Sequence, residues 1–365
     1  MTTIHDLPTP ALLLDLDVLD ANLAHMAARV TALGVRLRPH IKTHKCIEVG
    51  ERQRRLGAQG ITVSTLAEAR AFAAHGFDDI TWAFPVVLSR LAEARELAER
   101  TTLRLVVDSQ EAVDALEQLG YPFHVWLKVD CGYHRAGVDP ASPHAVDVAR
   151  AIHDSATLVF DGLLSHAGHS YKGPSRAEAR AAAIEERDVM VAFAGQLRTL
   201  GLVVPAVSVG STPGMAAVDH LDGVSEARPG NYAFHDGTQV RLGTCTVRDC
   251  AVTVLASVVS SQPSAKHCVT DAGALVLSKD AGHSGAPQPC MGEIIHDYEA
   301  GTLREDARLT TLSQEHGVVN ACLPLHSRVR ILPNHSCLTV ACFDRYDVVQ
   351  GETVVDEWRI HRERD

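Results

Sequence analysis

The feature that most constrains the fold is an alternation of short apolar runs with longer amphipathic ones, which begins near residue 36. The apolar runs are strand-like, and the segments between most of them place apolar residues at helical spacing and often end in glycine. This order predicts an α/β fold with repeated β-α units, and eight such units within about 200 residues predict a (β/α)8 barrel of the TIM type. The predicted strands are Arg36–Lys42, Gly60–Thr65, Asp79–Pro85, Leu103–Ser109, Phe123–Asp130, Leu158–Gly168, Ala206–Thr212 and Ser225–Asp236.

After Asp236 the pattern changes to Val- and Thr-rich runs separated by turn residues, with little helical periodicity. This texture is typical of antiparallel strands and predicts a second, mostly antiparallel β domain. We therefore expect an N-terminal segment (1–25) that packs with the β domain, a barrel (26–240) and a C-terminal β domain (241–365). The strands predicted in that domain are Thr244–Val259, His267–Leu277, Ser327–Leu332 and Cys337–Val349.

Composition excludes several classes of function. The 365 residues carry a formal net charge of −11, so the chain offers no basic field for nucleic acid. Nine cysteines without a Cys-x-x-Cys pair indicate reduced thiols and a cytoplasmic protein. The first ten residues do not resemble a signal peptide, and no apolar run reaches the roughly 20 residues of a spanning helix, so we expect no membrane association.

Reactive side chains stand where the predicted barrel strands end, which is where the active site of such a barrel forms. Lys42 closes the first strand, Arg135 follows the fifth and His166 lies near the end of the sixth. A lysine in this position can form a Schiff base if a partly desolvated pocket lowers its pKa. The alternatives are that Lys42 is a surface lysine, or that Lys45, which lies beyond the predicted strand end, takes this role.

The ends of the last two predicted strands suit an anion. Gly210, Ser211 and Thr212 follow strand seven, and Gly230 with Asn231 lies in strand eight. Loops at these two positions of a barrel often bind a phosphate through backbone N–H groups and hydroxyls. Most Gly-Ser-Thr triplets are turns, so the placement of this one is what favours a phosphate site.

A possible metal site lies in the predicted β domain. His335 and Cys337 are two residues apart, and residues at that spacing in a strand project to the same face. An imidazole and a thiolate suit Zn²⁺, whereas the alternative is a buried cysteine beside a turn histidine.

Taken together, these motifs resemble the D-serine dehydratase and D-threonine aldolase branch of the pyridoxal-phosphate enzymes with the alanine racemase type of fold (fold type III). The similarity spans nearly the whole chain in the right order. The matching segments are Thr9-Pro10-Ala11, Arg38 to Lys45, Gly60 to Thr65, Val207 to Pro213, Arg228 to Tyr232, Gln314 to Gly317 and Pro333 to Cys337.

This resemblance implies a homodimer with its active sites near the interface, and it implies roles for individual residues. Lys42 is then the Schiff-base lysine, and His335 and Cys337 are the metal ligands. The residues implied around the phosphate are Gly210, Ser211, Thr212, Gly230 and Asn231. The looser implications are Arg228 against the pyridine nitrogen, Arg135 near a cofactor oxygen or the substrate carboxylate, and His166, Tyr171 and Tyr232 lining the cofactor. A structural salt bridge for Arg135 and a satisfied buried histidine for His166 remain alternatives.

The implied reaction begins with removal of the Cα proton of a β-hydroxy D-amino acid by Lys42, with the cofactor as electron sink. A metal on the β-hydroxyl then favours loss of hydroxide, which gives an oxo acid and ammonia, or retro-aldol cleavage to glycine and an aldehyde. The second ligand separates the two, because the aldolases typically carry His-x-Asp where this chain has His335-Ser336-Cys337. We therefore expect a D-serine or 3-hydroxy-D-aspartate dehydratase that uses Zn²⁺, with Mn²⁺ or Co²⁺ as alternatives. A D-threonine aldolase is the main alternative, followed by an amino-acid racemase and a non-catalytic pyridoxal-phosphate carrier.

Overall fold

The computed structural model describes residues 2–282 and 290–364, and these form two compact units. The barrel unit comprises residues 26–42, 50–230 and 363–364, and the β unit comprises residues 2–25, 43–49, 231–282 and 290–362. The β unit begins at residue 231 rather than after residue 240, because Gly237 N–H and Thr238 N–H donate to the carbonyls of Pro333 and Asn334. The short segment 43–49, which follows Lys42, also belongs to the β unit.

The strands of the described chain are β1 (Ala11–Asp15), β2 (Arg36–Leu37), β3 (Ile61–Val63), β4 (Asp79–Pro85), β5 (Thr102–Val107), β6 (His124–Lys128), β7 (Val159–Leu164), β8 (Ala206–Val209), β9 (Glu226–Ala227), β10 (Val252–Gln262), β11 (His267–Thr270), β12 (Gly292–Asp297), β13 (Thr302–Leu312), β14 (Gly317–Val319), β15 (Arg328–Leu332), β16 (Arg345–Gln350) and β17 (Thr353–Arg359). The helices are α1 (Leu16–Ala32), α2 (Ile47–Arg55), α3 (Leu66–Ala73), α4 (Leu91–Ala98), α5 (Gln110–Gln118), α6 (Pro143–Asp154), α7 (Arg176–Thr199), α8 (Thr212–Ala217), α9 (Gly237–Arg241), α10 (Ala274–Leu277) and α11 (Ser336–Val340).

The barrel unit is built on eight parallel strands in the order β2-β9-β8-β7-β6-β5-β4-β3. A bridge between His40 and Thr62 closes the ring, and Thr62 N–H donates to the Pro39 carbonyl at 2.8 Å. All eight predicted barrel strands are present, although most are shorter than predicted. The interior is apolar at its centre, where Val106, Trp126, Leu164 and Ala206 form one buried cluster.

Helix N-caps fix where the chain leaves the strands of the barrel. Thr65, Ser109, Ser142 and Ser175 each accept a hydrogen bond from the third residue of the helix that follows. Such caps satisfy N–H groups that have no partner within a helix, so each helix has a defined first residue. Residues at the carboxyl ends of the strands are held in place as a result.

The β unit contains a ring of six antiparallel strands, β10-β15-β12-β13-β14-β11, in which β11 pairs back to β10. Strand β1 joins the outside of β10 antiparallel and also pairs with β16 in parallel, and β17 completes the sheet. All five residues of β1 are buried, so the N-terminal strand is an integral part of this unit.

Three predicted strands of the β unit are partly wrong. His267–Leu277 is a strand only as far as Thr270, because the chain enters helix α10 after Gly273. Thr244–Val259 does not become a strand until Val252, because Thr246 and Asp249 form a capping box around a 3-10 turn at Val247–Asp249. Cys337–Val349 begins as helix α11, and its strand starts only at Arg345. Strands β12, β13, β14 and β17 were not predicted.

Candidate active site

Lys42 lies in a single 3-10 turn, Ile41–Thr43, directly after the first barrel strand. It is half-buried, and within the described parts of the chain its ammonium group forms no hydrogen bond or ion pair. Its backbone N–H donates to Nδ1 of His40 at 3.4 Å, which orients the turn. Lys45, the competing candidate, is buried in the β unit and its carbonyl accepts the N–H of His361. Of these two candidates, Lys42 is therefore the one at the end of a barrel strand, and its amine has no partner in the described chain.

His166, after β7, lies in a cationic environment. Burial, together with the charges of Lys42, Lys128 and Arg135, holds the pKa of His166 well below its usual value of 6.5. Its Nδ1 lies 3.3 Å from the Gly210 carbonyl oxygen, which can only accept, so Nδ1 carries the proton. His166 is consequently neutral at pH 7 and has its Nε2 lone pair available as an acceptor.

Lys128, at the end of β6, is a candidate site residue that the sequence reasoning missed. It is buried, and burial and the nearby Arg228 lower its pKa to about 8. In the described chain its amine forms no hydrogen bond or ion pair, although the charges of Glu186 and Cys131 act on it. A lysine inside an otherwise apolar strand was the available signal, because a charged group is rarely buried unpaired without a purpose.

Arg228 follows β9 and is completely enclosed by the barrel unit. Its guanidinium donates to the Ser208 hydroxyl and to the carbonyl of Ser165. Ser208 in turn donates to Glu226 at 2.7 Å, and the other oxygen of Glu226 accepts from Arg38 at 3.0 Å. Burial lowers the pKa of Arg228, and Glu226 and Glu186 oppose that effect. This relay fixes the orientation of Arg228, and Ser208 and Glu226 are members of it that the sequence did not reveal.

The turn after β8 depends on glycine. Gly210 has φ +117°, and a Cβ there would lie 3.1 Å from the backbone nitrogen of Arg228. The N–H of Gly210 donates to Glu186 at 3.2 Å, so the glycine allows β8 and β9 to approach closely and its N–H is not available to a ligand. Glu186 also accepts from Ser165 Oγ and Ala167 N, and it thereby joins the ends of β7 and β8.

The remaining residues of the predicted phosphate site are buried at the start of α8 and after β9. The Ser211 hydroxyl caps α8 by accepting the N–H of Gly214 at 3.2 Å, and it shares a 2.8 Å hydrogen bond with Ser170. Thr212 is the first residue of that helix, and Gly230 is the last residue of the barrel unit before Asn231. The barrel unit thus holds Gly210, Ser211, Thr212 and Gly230 together, whereas Asn231 and Tyr232 belong to the β unit.

The aromatic and cationic residues beyond β6 and β7 are more exposed. Arg135 is exposed and lies over the ring of Tyr133 at 4.9 Å from its centroid. Tyr171 is half-buried, with its ring 6.4 Å from that of His166, and Tyr133 lies 6.3 Å from the same histidine. Both predicted residues are therefore near His166, and Tyr133 is an aromatic neighbour that was not predicted.

In the β unit, His335 is anchored by a carboxylate. Its Nδ1 lies 2.9 Å from Oδ2 of Asp280, and its side chain also interacts with Cys337. Although burial opposes it, the Cys337 sulfur and the Asp280 carboxylate raise the pKa of His335 to about 11. A carboxylate–histidine pair of this kind orients the imidazole of many metal sites. No sequence spacing links Asp280 to His335, which explains why the sequence did not identify it.

Cys337 lies close to His335, but for a different reason from the one predicted. His335 is the N-cap of α11 and Cys337 lies in its first turn, so the argument from residues on one face of a strand is wrong. Thr43, which follows Lys42 in the chain, has its hydroxyl 3.2 Å from Cys337 Sγ. Asp236 fixes the intervening residue by accepting the N–H of Ser336 at 3.0 Å, and it also accepts from the Asn231 amide at 2.7 Å.

The donor set of this cluster fits a divalent metal. It combines the Cys337 sulfur with the His335 imidazole, whose Nδ1 is already bound by Asp280. The negative charges of Cys337 and Asp280 favour a cation at this position. Over residues 2–282 and 290–364 there is no group of three or more metal-ligating side chains. Two protein ligands leave coordination positions for water and substrate, as catalytic rather than structural sites do.

The residues of the barrel unit fit pyridoxal 5′-phosphate. They combine the Lys42 amine, which has no partner in the described chain, with a turn at Gly210 that has no room for a side chain. Four cations lie near His166 or near one another, namely Lys42, Lys128, Arg135 and Arg228. The cations suit an anionic phosphate ester, and the free amine suits an aldehyde.

Two family models match the chain, one in its N-terminal part and one in its C-terminal part. Residues 14–237 match the family described as alanine racemase, N-terminal domain, and residues 251–349 match the putative serine dehydratase domain. Among the described residues, no helix has the length and apolar character needed to cross a membrane.

Similar proteins match over nearly their whole length. The chain is 39% identical to D-threo-3-hydroxyaspartate dehydratase of Delftia sp. strain HT23, with 98% of this chain and 99% of that protein covered. It is 34% identical to D-serine dehydratase of Dictyostelium discoideum, with 96% of each covered. It is 31% identical to D-threonine aldolase of an Arthrobacter species, with 96% of this chain and 92% of that protein covered.

The fold of the Delftia enzyme superimposes with a TM-score of 0.93 at 38% identity, over 99% of both chains. Its solved structures include a histidine-to-alanine mutant and a cysteine-to-alanine mutant whose sites are two positions apart, and the latter is described as the metal-free form.

Proposed function

The chain belongs to the family of pyridoxal-phosphate-dependent lyases that joins an alanine racemase N-terminal domain to a serine dehydratase domain, and we propose that it dehydrates a β-hydroxy D-amino acid. The products are a 2-oxo acid and ammonia. The observation that carries this proposal is the His335–Asp280–Cys337 cluster, which offers two metal ligands in a chain similar throughout to a hydroxyaspartate dehydratase. The histidine and cysteine mutated in the Delftia structures have the same spacing as His335 and Cys337, which supports this assignment.

Lys42 is the residue that attaches the cofactor and exchanges protons at Cα. Its amine has no partner in the described chain, so it is available to the cofactor aldehyde. With the cofactor bound, Lys42 would hold its aldehyde carbon, and the same amine, when free, would accept the Cα proton of the substrate. Bound pyridoxal 5′-phosphate supplies the electron sink for the pair left at Cα.

Three residues of the barrel unit have supporting roles. Neutral His166 lines the cofactor with an acceptor nitrogen and adds no further positive charge. Arg228, fixed by Ser208 and Ser165, would offer the pyridine nitrogen of a bound cofactor a donor that does not give up its proton. The exposed Arg135 is a cation available to the substrate carboxylate, and Tyr171 lies beside His166.

His335 and Cys337 hold the divalent metal, for which Zn²⁺ is our first choice and Mn²⁺ or Co²⁺ the alternatives. A bound cation supplies a Lewis acid for the β-hydroxyl oxygen, so that hydroxide can leave. Asp280 orients the His335 imidazole through its Nδ1, and Asp236 holds Ser336, the residue between the two ligands.

Product analysis tests this proposal. The purified protein is incubated with 3-hydroxy-D-aspartate, D-serine or D-threonine, each with added Zn²⁺ or Mn²⁺ and again with a chelator. We expect ammonia and an oxo acid from the first two, with the activity lost on chelation. Glycine and an aldehyde would instead establish an aldolase, which the similarity to D-threonine aldolase makes the second candidate.

We also propose that the protein is cytoplasmic, that it forms a homodimer and that it binds a small-molecule substrate. The reducing compartment is supported by the nine cysteines, which all lie in the described ranges and are all free thiols. The dimer is implied by the family resemblance. Light scattering on the holoenzyme tests it, and a monomeric mass with full activity would contradict it.

A further inference from the structure

Two cysteines outside the proposed active site flank one tight turn of the β unit. Cys245 precedes the 3-10 turn Val247–Asp249 and Cys250 follows it. The turn is closed by Thr246, whose N–H and hydroxyl donate to Asp249 Oδ2 at 2.7 and 2.8 Å. It is continued by the Cys250 N–H, which donates to the Val247 carbonyl at 3.1 Å. The chain reverses here, and both cysteines pack in the apolar cluster formed with Ile295 and Leu332.

The two thiols are chemically unequal. Cys245 is half-buried, and the neighbouring Cys250 thiol and His235 lower its pKa to about 7, although burial opposes them. Cys250 is fully buried, and its interaction with Cys245 together with burial holds its pKa well above the usual range. One thiol is therefore a nucleophile at neutral pH, and its neighbour in the same apolar cluster stays protonated.

We propose that Cys245 and Cys250 form a reversible disulfide site that reacts with small disulfides such as oxidised glutathione. The Cys245 thiolate attacks one sulfur of glutathione disulfide, the S–S bond breaks, and glutathione leaves as its thiolate. Cys250 then loses its proton and attacks the Cys245 sulfur, which forms the protein disulfide and releases the second glutathione. The two protein thiols lose two electrons and two protons, and glutathione disulfide gains both to become two glutathione molecules.

Other uses of these cysteines fit the structure less well. The described parts of the chain hold no cluster of three metal-ligating residues, so Cys245, Cys250 and His235 do not form a metal site of that kind. Cys46 and Cys131, which are also buried, have raised pKa values through burial and nearby carboxylates, so they are poor nucleophiles. The pair at 245 and 250 combines a stabilised thiolate with a second thiol in the same apolar cluster.

The sequence provides a convenient assay, because trypsin cleaves after Arg248 and thus between the two cysteines. The reduced holoenzyme, loaded with cofactor and Zn²⁺, is incubated with glutathione disulfide, alkylated, digested and analysed by mass spectrometry. We expect the peptides 242–248 and 249–266 to appear as a disulfide-linked pair that dithiothreitol separates. Failure to find this pair while other cysteines are modified would overturn the proposal.

Three variants assign the order of the steps. Cys250→Ser should accumulate a glutathione adduct on Cys245, because the second attack is removed, and Cys245→Ser should leave Cys250 unmodified. Cys322→Ser, at an exposed cysteine elsewhere in the β unit, is the matched control and should form the linked pair like the wild type. Circular dichroism checks the fold of each variant, and Cys250→Ala replaces Cys250→Ser if serine is not tolerated at the buried position. An adduct on Cys250 in Cys245→Ser, or none on Cys245 in both Cys250 variants, would contradict the assignment.

Discussion

Replacing Asp280 with asparagine tests whether the carboxylate behind His335 prepares a metal ligand. Asp280 Oδ2 accepts from His335 Nδ1 at 2.9 Å, while Oδ1 accepts the N–H of Gly282 at 2.9 Å. Asparagine keeps the shape and can keep the second of these hydrogen bonds, so Asp280→Asn removes mainly the charge. The interaction with His335 is also what lowers the pKa of Asp280, which is therefore ionised at neutral pH.

Loss of such a partner typically weakens metal binding by about 10- to 100-fold, which corresponds to roughly 1.4–2.7 kcal/mol. We expect Asp280→Asn to fall in this range when Zn²⁺ is titrated in competition with a chromophoric chelator. The matched control is Asp306→Asn, at an exposed aspartate in the β unit that pairs only with Arg304 among the described residues. An unchanged Zn²⁺ affinity in Asp280→Asn, with cofactor binding intact, would refute the assignment of this cluster as the metal site.

Three further substitutions test the barrel unit. Lys42→Ala should lose both turnover and the visible absorbance of the protein-bound cofactor, and a variant that kept both would shift the role to another lysine such as Lys45. Gly210→Ala should lower the free energy of unfolding by about 1–3 kcal/mol, because the residue has a positive φ and its Cβ would meet the Arg228 backbone. Gly195→Ala in α7, which has open space around it, should raise the free energy of unfolding by about 0.5–1 kcal/mol. Equal denaturation midpoints for the two variants would contradict this difference. Lys128→Met should stabilise the protein at pH 7 by roughly 3 kcal/mol, because a lysine whose pKa falls from 10.5 to about 8 on folding binds its proton less tightly in the folded state. Between about pH 8 and 10.5 only the unfolded chain holds that proton, so the free energy of unfolding of the wild type should rise with pH through this window. The difference in free energy of unfolding between the wild type and Lys128→Met should therefore shrink there. A constant difference would count against an unpaired lysine.

The barrel and the position of its site follow from sequence because they rest on local patterns. Each strand is an apolar run and each helix has a periodic face, so Asp79–Pro85 and the helix begun by Thr65 are visible without coordinates. The carboxyl ends of parallel strands meet at one end of a barrel, so Lys42 and His166 could be placed near each other before any distance was known.

Long-range partners could not be obtained in the same way. Asp280 meets His335 across 55 residues, and Glu226 reaches Arg228 only through Ser208 on a neighbouring strand. The wrong prediction of a strand at Cys337 has a different origin, because a short apolar segment with Val and Thr is compatible with a short helix as well as with a strand. Asp236 favours the helix because it accepts a hydrogen bond from the N–H of Ser336, the first residue of α11, and the two residues are 100 positions apart.

The pairing of β1 has a consequence for biosynthesis. This stretch, which is apolar apart from its final aspartate, is synthesised well before its partners, because Leu14 pairs with Val252 and Leu13 with Asp347. At roughly 5–20 residues per second, the strand waits about 12–50 s for its first partner. During that time it is an unpaired edge that other nascent chains can join. The protein should therefore depend on chaperones that bind extended apolar segments, and its yield should fall when translation is slowed.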